Sequence, residues 1–192
     1  MTSLLSKLVS NLRLIDLCKS RRGIAAVEFA FIAPVMLVMM TGVSELGVFV
    51  FKRMQANEAV SAAANAALAS GPGLSSSTAD ATANVLASIL RAPDTAGTAR
   101  MTINGLRAYD ITATQMTSSG SVSSADECRC PTQANGVIDW GGSVGCTSTC
   151  ADGSSAGRYI SIAYHRPYKP VFPTYGLISN NGITVNVVAL VQ

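Results

Sequence analysis

A long run of apolar residues near the N-terminus dominates the hydrophobic pattern of the chain. Residues 24–51, IAAVEFAFIAPVMLVMMTGVSELGVFVF, contain only two charged side chains, Glu28 and Glu45. As a helix this run is about 42 Å long, which exceeds the roughly 30 Å hydrocarbon core of a bilayer. The two carboxylates lie about 25 Å apart along the axis, so that each can sit near one membrane boundary. The pattern predicts a transmembrane helix over 24–51.

Small residues follow the apolar run and predict that the helix continues beyond the membrane over 52–70. Four of them recur at three- to four-residue spacing: Ala59, Ala63, Ala66 and Ser70. Such a stripe permits the close approach of another helix or a sheet. The sequence Gly71-Pro72-Gly73 is typical of a helix end.

Beyond this end, residues 78–91 predict a second, shorter helix. After it, four segments have the alternating apolar and polar pattern of strands: 99–104, 107–114, 158–165 and 182–191. Val85, Leu86, Ile89 and Leu90 would form the apolar face of that helix. Asn104-Gly105, between the first two strands, is typical of a tight hairpin turn. A Ser/Gly-rich stretch, 117–157, reads as a loop. We therefore expect an α+β fold with a small antiparallel sheet.

Charge is distributed unevenly along the chain. The net charge is +3, but residues 1–23 alone carry five Lys or Arg and one Asp, a net charge of +4. The remainder carries −1, which does not indicate nucleic-acid binding. A basic flank before an apolar helix favours a cytoplasmic N-terminus and an exported C-terminal part. The charged fraction of 13% is about half the usual value for soluble domains and agrees with a membrane helix.

Several interpretations compete for residues 1–51. A secretory signal has an apolar core of 7 to 15 residues followed by a cleavage site, and this run is too long for one. The same objection applies to a twin-arginine signal at Ser20-Arg21-Arg22. A plain membrane anchor agrees with the length. It leaves unexplained a glycine, Gly23, that is followed five residues later by glutamate and an aromatic residue, Glu28 and Phe29.

This last pattern resembles the leader of prepilins, which a prepilin peptidase cuts on the cytoplasmic side directly after the glycine. The resemblance implies cleavage between Gly23 and Ile24, which makes Glu28 the fifth and Phe29 the sixth residue of the mature chain. A carboxylate at that place can pair with the free α-amine of a neighbouring subunit. Glu28 is therefore the candidate residue for subunit pairing.

Over residues 21–67 the chain resembles more specifically the TadE-like family, minor pseudopilins of tight-adherence (Tad/Flp) pili. The matching features are RRG, AVEFA, Pro34, the sequence Glu45-Leu46-Gly47 and the Ala-rich helix that follows. Tyr164, Pro167, Tyr168 and the closing GITVNVVALV resemble the end of the family. The basic residue usual near the family's C-terminus is absent, which is a departure from the pattern.

The resemblance implies a minor pseudopilin that takes part in assembling or initiating an adhesion pilus. Its domains would be a cytoplasmic leader (1–23), a transmembrane helix (24–51), a helical extension (52–70) and a pilin-like exported domain (71–192). The implied location is the bacterial inner membrane, crossed once, with the exported domain periplasmic or extracellular and the chain possibly incorporated in the pilus.

The implied partners are the prepilin peptidase, the Flp-type pilin, other pseudopilins, the inner-membrane assembly platform and membrane lipid, with no nucleic acid. No cofactor or metal is expected. The alternative is an unprocessed single-pass membrane-anchored protein with an unrelated structural or binding role.

Five cysteines are present, and four of them lie in the exported part: Cys128, Cys130, Cys146 and Cys150. The fifth, Cys18, lies in the leader. In an oxidising compartment two disulfides are expected. The tight spacing disfavours a bond between Cys128 and Cys130, so two connectivities stay open: 128–146 with 130–150, or 128–150 with 130–146. A zinc site with four thiolates is the competing interpretation, although the spacing is uncommon for one.

An enzyme is the remaining alternative. Residues 153–157, Gly-Ser-Ser-Ala-Gly, match the nucleophile-elbow pattern around Ser155, but the expected strand before and helix after are not predicted. The single histidine, His165, is followed by no Asp or Glu. We therefore expect no catalytic activity, and we expect His165 to lie at the end of a strand.

Overall fold

Two helices precede nine strands in the computed structural model, which describes residues 23–91, 96–134, 136–170 and 182–191. The predicted leader up to residue 22 and most of the connection between the last two strands lie outside these ranges. The helices are α1 (Ile24–Ser70) and α2 (Ala79–Arg91). The strands are β1 (Thr98–Ile103), β2 (Arg107–Ile111), β3 (Met116–Ser119), β4 (Cys128–Arg129), β5 (Thr132–Ala134), β6 (Val137–Asp139), β7 (Ser143–Val144), β8 (Tyr159–Arg166) and β9 (Ile183–Leu190).

Helix α1 is continuous through the predicted membrane segment and its extension. It includes Pro34 and ends at Ser70, where a 3-10 turn, Gly71–Gly73, replaces it. The backbone carbonyl of Val191 occupies the place that a Cβ on Gly71 would need, so only glycine fits there. The chain divides between Leu46 and Gly47 into two units, which we describe separately.

The second unit is built on a five-stranded antiparallel sheet with the strand order β3-β2-β1-β8-β9. Met101 on the central strand lies opposite Tyr109 on one side and Ile162 on the other, and all three are fully or almost fully buried. The C-terminal part of α1 contributes Ala56, Val60, Ala63 and Ala67 to the same core, and α2 contributes Leu86 and Leu90. Of the predicted small-residue stripe, Ala59 and Ala63 are buried, whereas Ala66 and Ser70 are half-buried, so the core face of α1 is displaced from the predicted one. The α+β prediction is confirmed.

The predicted turn joins β1 to β2. Asn104 and Gly105 have φ angles of 53° and 71°, and the backbone N–H of Leu106 donates to the carbonyl of Ile103 at 3.1 Å. Positive φ at both central residues is the reason for the Asn-Gly preference in such turns.

Three details differ from the sequence-based expectations. Val85 is 56% exposed, and the buried face of α2 is formed instead by Ala83, Leu86, Ala87 and Leu90. The second predicted strand ends at Ile111, and the short strand β3 follows it. The prediction of a loop over 117–157 is wrong in part, because this stretch contains a 3-10 helix, Val122–Asp126, and two small ladders, β4 with β7 and β5 with β6.

Candidate membrane anchor and processing site

The N-terminal part of α1 carries large apolar side chains that the described residues leave exposed. Phe29, Phe31, Val38 and Val43 are 68%, 77%, 69% and 71% exposed. Among the described residues this is the one helix long and apolar enough to cross a membrane, and its most apolar window is not buried at all. Exposing so much apolar surface to water is unfavourable at about 25 cal/mol per Å². The helix fits a single-pass membrane anchor.

The predicted processing residues lie at the beginning of this helix. Gly23 immediately precedes α1, Ile24 is its first residue, and a Cβ on Gly23 would meet no other atom within 4 Å. Glu28 lies one helical turn after Ile24, and Phe29 is its neighbour; all are exposed. The structure therefore places the four residues of the predicted motif, Gly23, Ile24, Glu28 and Phe29, together at one exposed helix end.

The second carboxylate of the apolar segment differs from the first in its surroundings. Glu45 is only 9% exposed, whereas Glu28 is exposed. Between them, from Phe29 to Ser44, no charged residue occurs. Burying a carboxylate is costly unless it is paired. The two acidic residues that the sequence treats alike thus differ in environment.

In the second unit the four cysteines downstream of the helices form two disulfides, Cys128–Cys146 and Cys130–Cys150. Their Cα–Cα distances, 5.0 and 5.5 Å, lie in the usual range for disulfides. The structure thus selects the first of the two connectivities left open by the sequence. Because the sulfurs are bonded to one another, these cysteines do not supply the four thiolates of the competing zinc site.

We call residues 121–158 the cysteine region, and a buried asparagine from the sheet holds it in place. The side-chain amide of Asn104 donates to the carbonyls of Ser124 and Glu127 at 2.7 and 2.8 Å, and its oxygen accepts from the backbone N–H of Tyr159 at 2.9 Å. Asn104 is completely buried. A buried amide with three such bonds is fully compatible with the interior, whereas removing it would leave its partners unsatisfied.

Two further side chains order the cysteine region. The indole ring of Trp140 lies against Gly105, where a Cβ would collide with it, and is 6.1 Å from the ring of Tyr159. Arg129 is 7% exposed; its guanidinium donates to Glu127 at 2.5 Å and to the carbonyl of Gly141. Glycine at position 105 thus serves both the turn and the seating of the only tryptophan.

A carboxylate, a phenol and a guanidinium meet between α2 and the sheet. Asp80 accepts from the Tyr109 hydroxyl at 2.6 Å and from Arg107 at 3.0 Å, and Arg107 lies 5.0 Å from the centre of the Tyr109 ring. The hydrogen bond from Tyr109, followed by that from Arg107, lowers the pKa of Asp80. Burial raises the pKa of Tyr109. The cluster fixes the first turn of α2 to β2, and Nη1 of Arg107 donates in addition to the carbonyl of Gly120 at 2.9 Å.

The enzyme alternative lacks its local geometry. Ser155 lies in an isolated bridge with Thr149, and the chain continues into strand β8 and not into a helix. The hydroxyl of the neighbouring Ser154 donates to Asp152 at 2.7 Å. His165 lies one residue before the end of β8, where its Nδ1 is 3.2 Å from the hydroxyl of Thr184. A nucleophile elbow requires a strand-to-helix turn, and residues 153–157 do not form one.

Sequence reasoning missed the anchoring residues Asn104 and Arg129 and the Asp80 cluster. For Asn104 a signal was present, because Asn-Gly predicts the turn, but the long-range partners of the amide leave no trace in the local pattern. The Asp80 and Arg107 pairing joins residues 27 positions apart, and nothing in their spacing indicates it.

The comparisons with known proteins agree with the N-terminal pattern. Residues 23–65 match the family model described as TadE-like protein. The match begins at Gly23, covers most of α1, and amounts to less than a quarter of the 192 residues. It confirms the predicted resemblance over that segment. No curated protein and no solved structure matches the chain. TadE-like proteins are components of Tad pilus systems and are not known as enzymes.

Proposed function

We propose that this chain, with its TadE-like N-terminal segment, is a minor pseudopilin that helps to assemble or initiate a Tad/Flp-type adhesion pilus. The observation that carries the proposal is the coincidence of three boundaries at Gly23. The family match begins there, α1 begins at the next residue, and the predicted prepilin cleavage falls between Gly23 and Ile24. Residues 1–23 would then be a leader, and the mature protein would begin with its membrane helix.

The local structure supports access of a peptidase to this bond. Glycine has no side chain to obstruct an extended backbone in a protease cleft, and Gly23 has open space around it. Gly23 lies in a 3-10 turn that leads directly into α1, and Ile24 is the first residue of α1, so that cleavage between the two leaves α1 intact. The proposed partner at this step is the prepilin peptidase on the cytoplasmic side of the inner membrane.

After cleavage, Glu28 would act as the subunit-pairing residue. Its carboxylate is exposed in the isolated chain and lies where an apolar helix enters the membrane. Charge at such a place is costly unless it finds a partner, and the α-amine of a neighbouring pilin or pseudopilin supplies one. The proposed partners in the assembly are therefore the Flp-type pilin, other pseudopilins and the inner-membrane platform. The exported domain would face the periplasm or the exterior.

The test is the mass of the mature chain in cells with an active prepilin peptidase. We expect a mature N-terminus at Ile24. Gly23→Leu should retain the leader and abolish the contribution of the chain to piliation, because the added side chain obstructs the cleft. Gly42→Leu is the matched control, since position 42 lies within the same helix and also has open space around it. A retained leader in the unmodified chain would overturn the proposal and favour an unprocessed membrane-anchored protein of another role.

A second arm of this experiment separates processing from assembly. Glu28→Gln keeps the shape of the side chain and removes its charge, so we expect normal cleavage but loss of piliation. Glu58→Gln, at an exposed position of α1 outside the apolar run, is the control and should behave as the unmodified chain. Normal piliation with Glu28→Gln would refute the pairing role of Glu28 without affecting the processing result.

A further inference from the structure

The connection after β8 runs along α1 towards the predicted membrane segment. Arg166, the last residue of β8, donates to the side-chain oxygen of Gln55 at 3.2 Å. Two residues later the ring of Tyr168 meets the ring of Phe49 edge-on, with the ring centres 5.3 Å apart. Gln55 and Phe49 are six residues apart in α1, which is about 9 Å along the helix axis. The connection therefore reaches the last turn of the apolar run, which ends at Phe51.

This contact brings cations from two parts of the chain to one level of α1. Lys52 lies between Phe49 and Gln55 both in height and in direction, because each residue advances about 1.5 Å along the helix axis and about 100° around it. Arg53 is the next residue of the helix, and Lys169 directly follows the aromatic contact. We call Lys52, Arg53 and Lys169 the basic patch.

The charges of the basic patch are available to a ligand. Arg53 and Lys169 are exposed, and Lys52 is half-buried. None of the three forms an ion pair with a carboxylate of the described residues. The acidic residues of α1 nearest to Lys52 are Glu45 and Glu58, each at least six residues away or about 9 Å along the axis. The carboxylates of the helix therefore do not neutralise the patch.

Positive charge is concentrated at this place. Residues 49–55 and 166–169 contain four Lys or Arg and no Asp or Glu, although residues 24–192 as a whole carry a net charge of −1. The fourth cation, Arg166, is only 4% exposed and is bound to Gln55, so it holds the connection against the helix. The other three form the basic patch at the end of the apolar run.

A surface with this position and charge fits the headgroup layer of a bilayer. Tyrosine rings are enriched at membrane–water interfaces, and Lys and Arg near the ends of membrane helices extend to the same level. Basic residues beside a membrane helix attract anionic lipids. Because the patch is continuous with the apolar run, lipid phosphates are held at its level, whereas a soluble polyanion has to be recruited from solution.

We propose that the basic patch binds the phosphate groups of anionic phospholipids where α1 leaves the membrane. Lys52 and Arg53 act from the helix and Lys169 from the connection after β8, and the contact between Phe49 and Tyr168 positions Lys169. The bound lipid holds the connection against the bilayer surface. The inference goes beyond the proposed function, because it rests on anchoring by α1 and not on removal of the leader, the direction of insertion or a role in pilus assembly.

A tryptophan reporter beside the patch measures which lipids collect there. Phe51→Trp in a Trp140→Phe background places the only indole at the end of the apolar run. The full-length chain is reconstituted in phosphatidylcholine bilayers that contain either brominated phosphatidylglycerol or brominated phosphatidylcholine, since bromine quenches tryptophan at short range. We expect stronger quenching by the anionic lipid, and the ratio gives its relative affinity. Val27→Trp, at the other end of the run, is the control reporter.

Substitutions in and near the patch test its composition. Lys169→Gln should lower the relative affinity about fivefold at the Phe51→Trp reporter and leave it unchanged at the Val27→Trp reporter. Arg100→Gln removes the same charge at a 61% exposed side chain of the sheet and should change neither. Tyr168→Ala should act nearly as strongly as Lys169→Gln although it removes no charge, whereas Tyr168→Phe keeps the ring contact and the affinity. Far-UV circular dichroism checks that each variant folds.

Two results would overturn the proposal. One is equal quenching by the two brominated lipids at the Phe51→Trp reporter of the chain with an intact patch. The other is a preference for phosphatidylglycerol that Lys169→Gln and Tyr168→Ala leave unchanged, because the cations of α1 would then act without the connection. Processing and piliation are not readouts here, so the result is independent of the proposed function.

Discussion

The sheet and the cysteine region of the second unit are stabilised by different means. In the sheet the buried side chains are large and apolar, such as Met101, Ile160 and Ile162. In the cysteine region the buried residues are small or polar, such as Ser124, Ala125 and Arg129. The sheet is stabilised by the removal of apolar surface from water. The cysteine region is stabilised by two disulfides and by hydrogen bonds to buried groups.

This difference shows how a segment rich in Ser and Gly can be ordered next to a conventional core. A segment with few apolar side chains cannot offset the conformational entropy lost on ordering by burial alone. Disulfides between its cysteines reduce the conformational entropy of the unfolded chain. Contacts of Asn104 and Trp140 then attach the cysteine region to the hairpin turn. The order of the cysteine region therefore depends on an oxidising compartment, whereas the order of the sheet does not.

Reduction of the two disulfides should have the largest effect and should separate the two regions. Each bond closes a loop of 18 or 20 residues, so that each contributes about 3 kcal/mol. Trp140, the only tryptophan, reports on the cysteine region. We expect reduction to shift its fluorescence to longer wavelength while the far-UV circular dichroism of the helices and sheet is retained. A simultaneous loss of both signals would contradict the distinction, and Cys18→Ser in oxidised protein serves as the control.

An intermediate effect is expected from overfilling the core where α1 packs on the sheet. Ala63 is completely buried, so Ala63→Leu should destabilise the fold by about 1–3 kcal/mol and lower Tm by roughly 2–4 °C per kcal/mol. Ala62→Leu makes the same change at an exposed neighbouring position and should be nearly neutral. Thermal unfolding followed by circular dichroism measures both. Equal Tm values for the two variants would mean that the Ala stripe does not pack as described.

The smallest effect concerns acid stability. The hydrogen bond from Tyr109 lowers the pKa of Asp80 below its ordinary value of 3.8, so its ionised form stabilises the fold above that pH. This contribution is lost as the pH falls through the lowered pKa of the folded state. Because the Asp80 side chain is 64% exposed, we expect less than about 1 kcal/mol.

Asp80→Asn should therefore lower Tm slightly at pH 7 and leave it unchanged near pH 2, as measured by thermal scans across that range. Asp110→Asn, which removes an exposed ion pair with Arg100 at 3.6 Å, is the control and should change Tm less at either pH. An effect of Asp80→Asn that grows as the pH falls would contradict the assignment.

Much of this architecture could be predicted from the sequence, because strong periodicity determines it. The apolar run predicts the first part of α1, the alternation predicts β1, β8 and β9 within a residue or so, and Asn104-Gly105 predicts the hairpin. The processing motif stays a prediction, since it rests on spacing and on the family match.

The remaining features depend on long-range contacts that local patterns do not encode. Strands β4 to β7 have two or three residues each, too few for any periodicity, and they exist because disulfides and Arg129 hold them together. Two disulfide connectivities were equally compatible with the spacing of the cysteines. Val85 is exposed because the sheet contacts α2 from the other side of its apolar stripe. Helical spacing alone does not determine which side of the stripe faces the sheet.

The amide of Asn104 has a consequence for the order of events in oxidative folding. It binds the carbonyl of Glu127, the residue directly before Cys128, and it belongs to a hairpin turn of local sequence. Such hairpins form in microseconds, whereas disulfide formation takes seconds or longer. The turn can therefore form before the first cysteine is oxidised, so that Asn104 is already in place to bind the residue next to Cys128 while the disulfide to Cys146 forms.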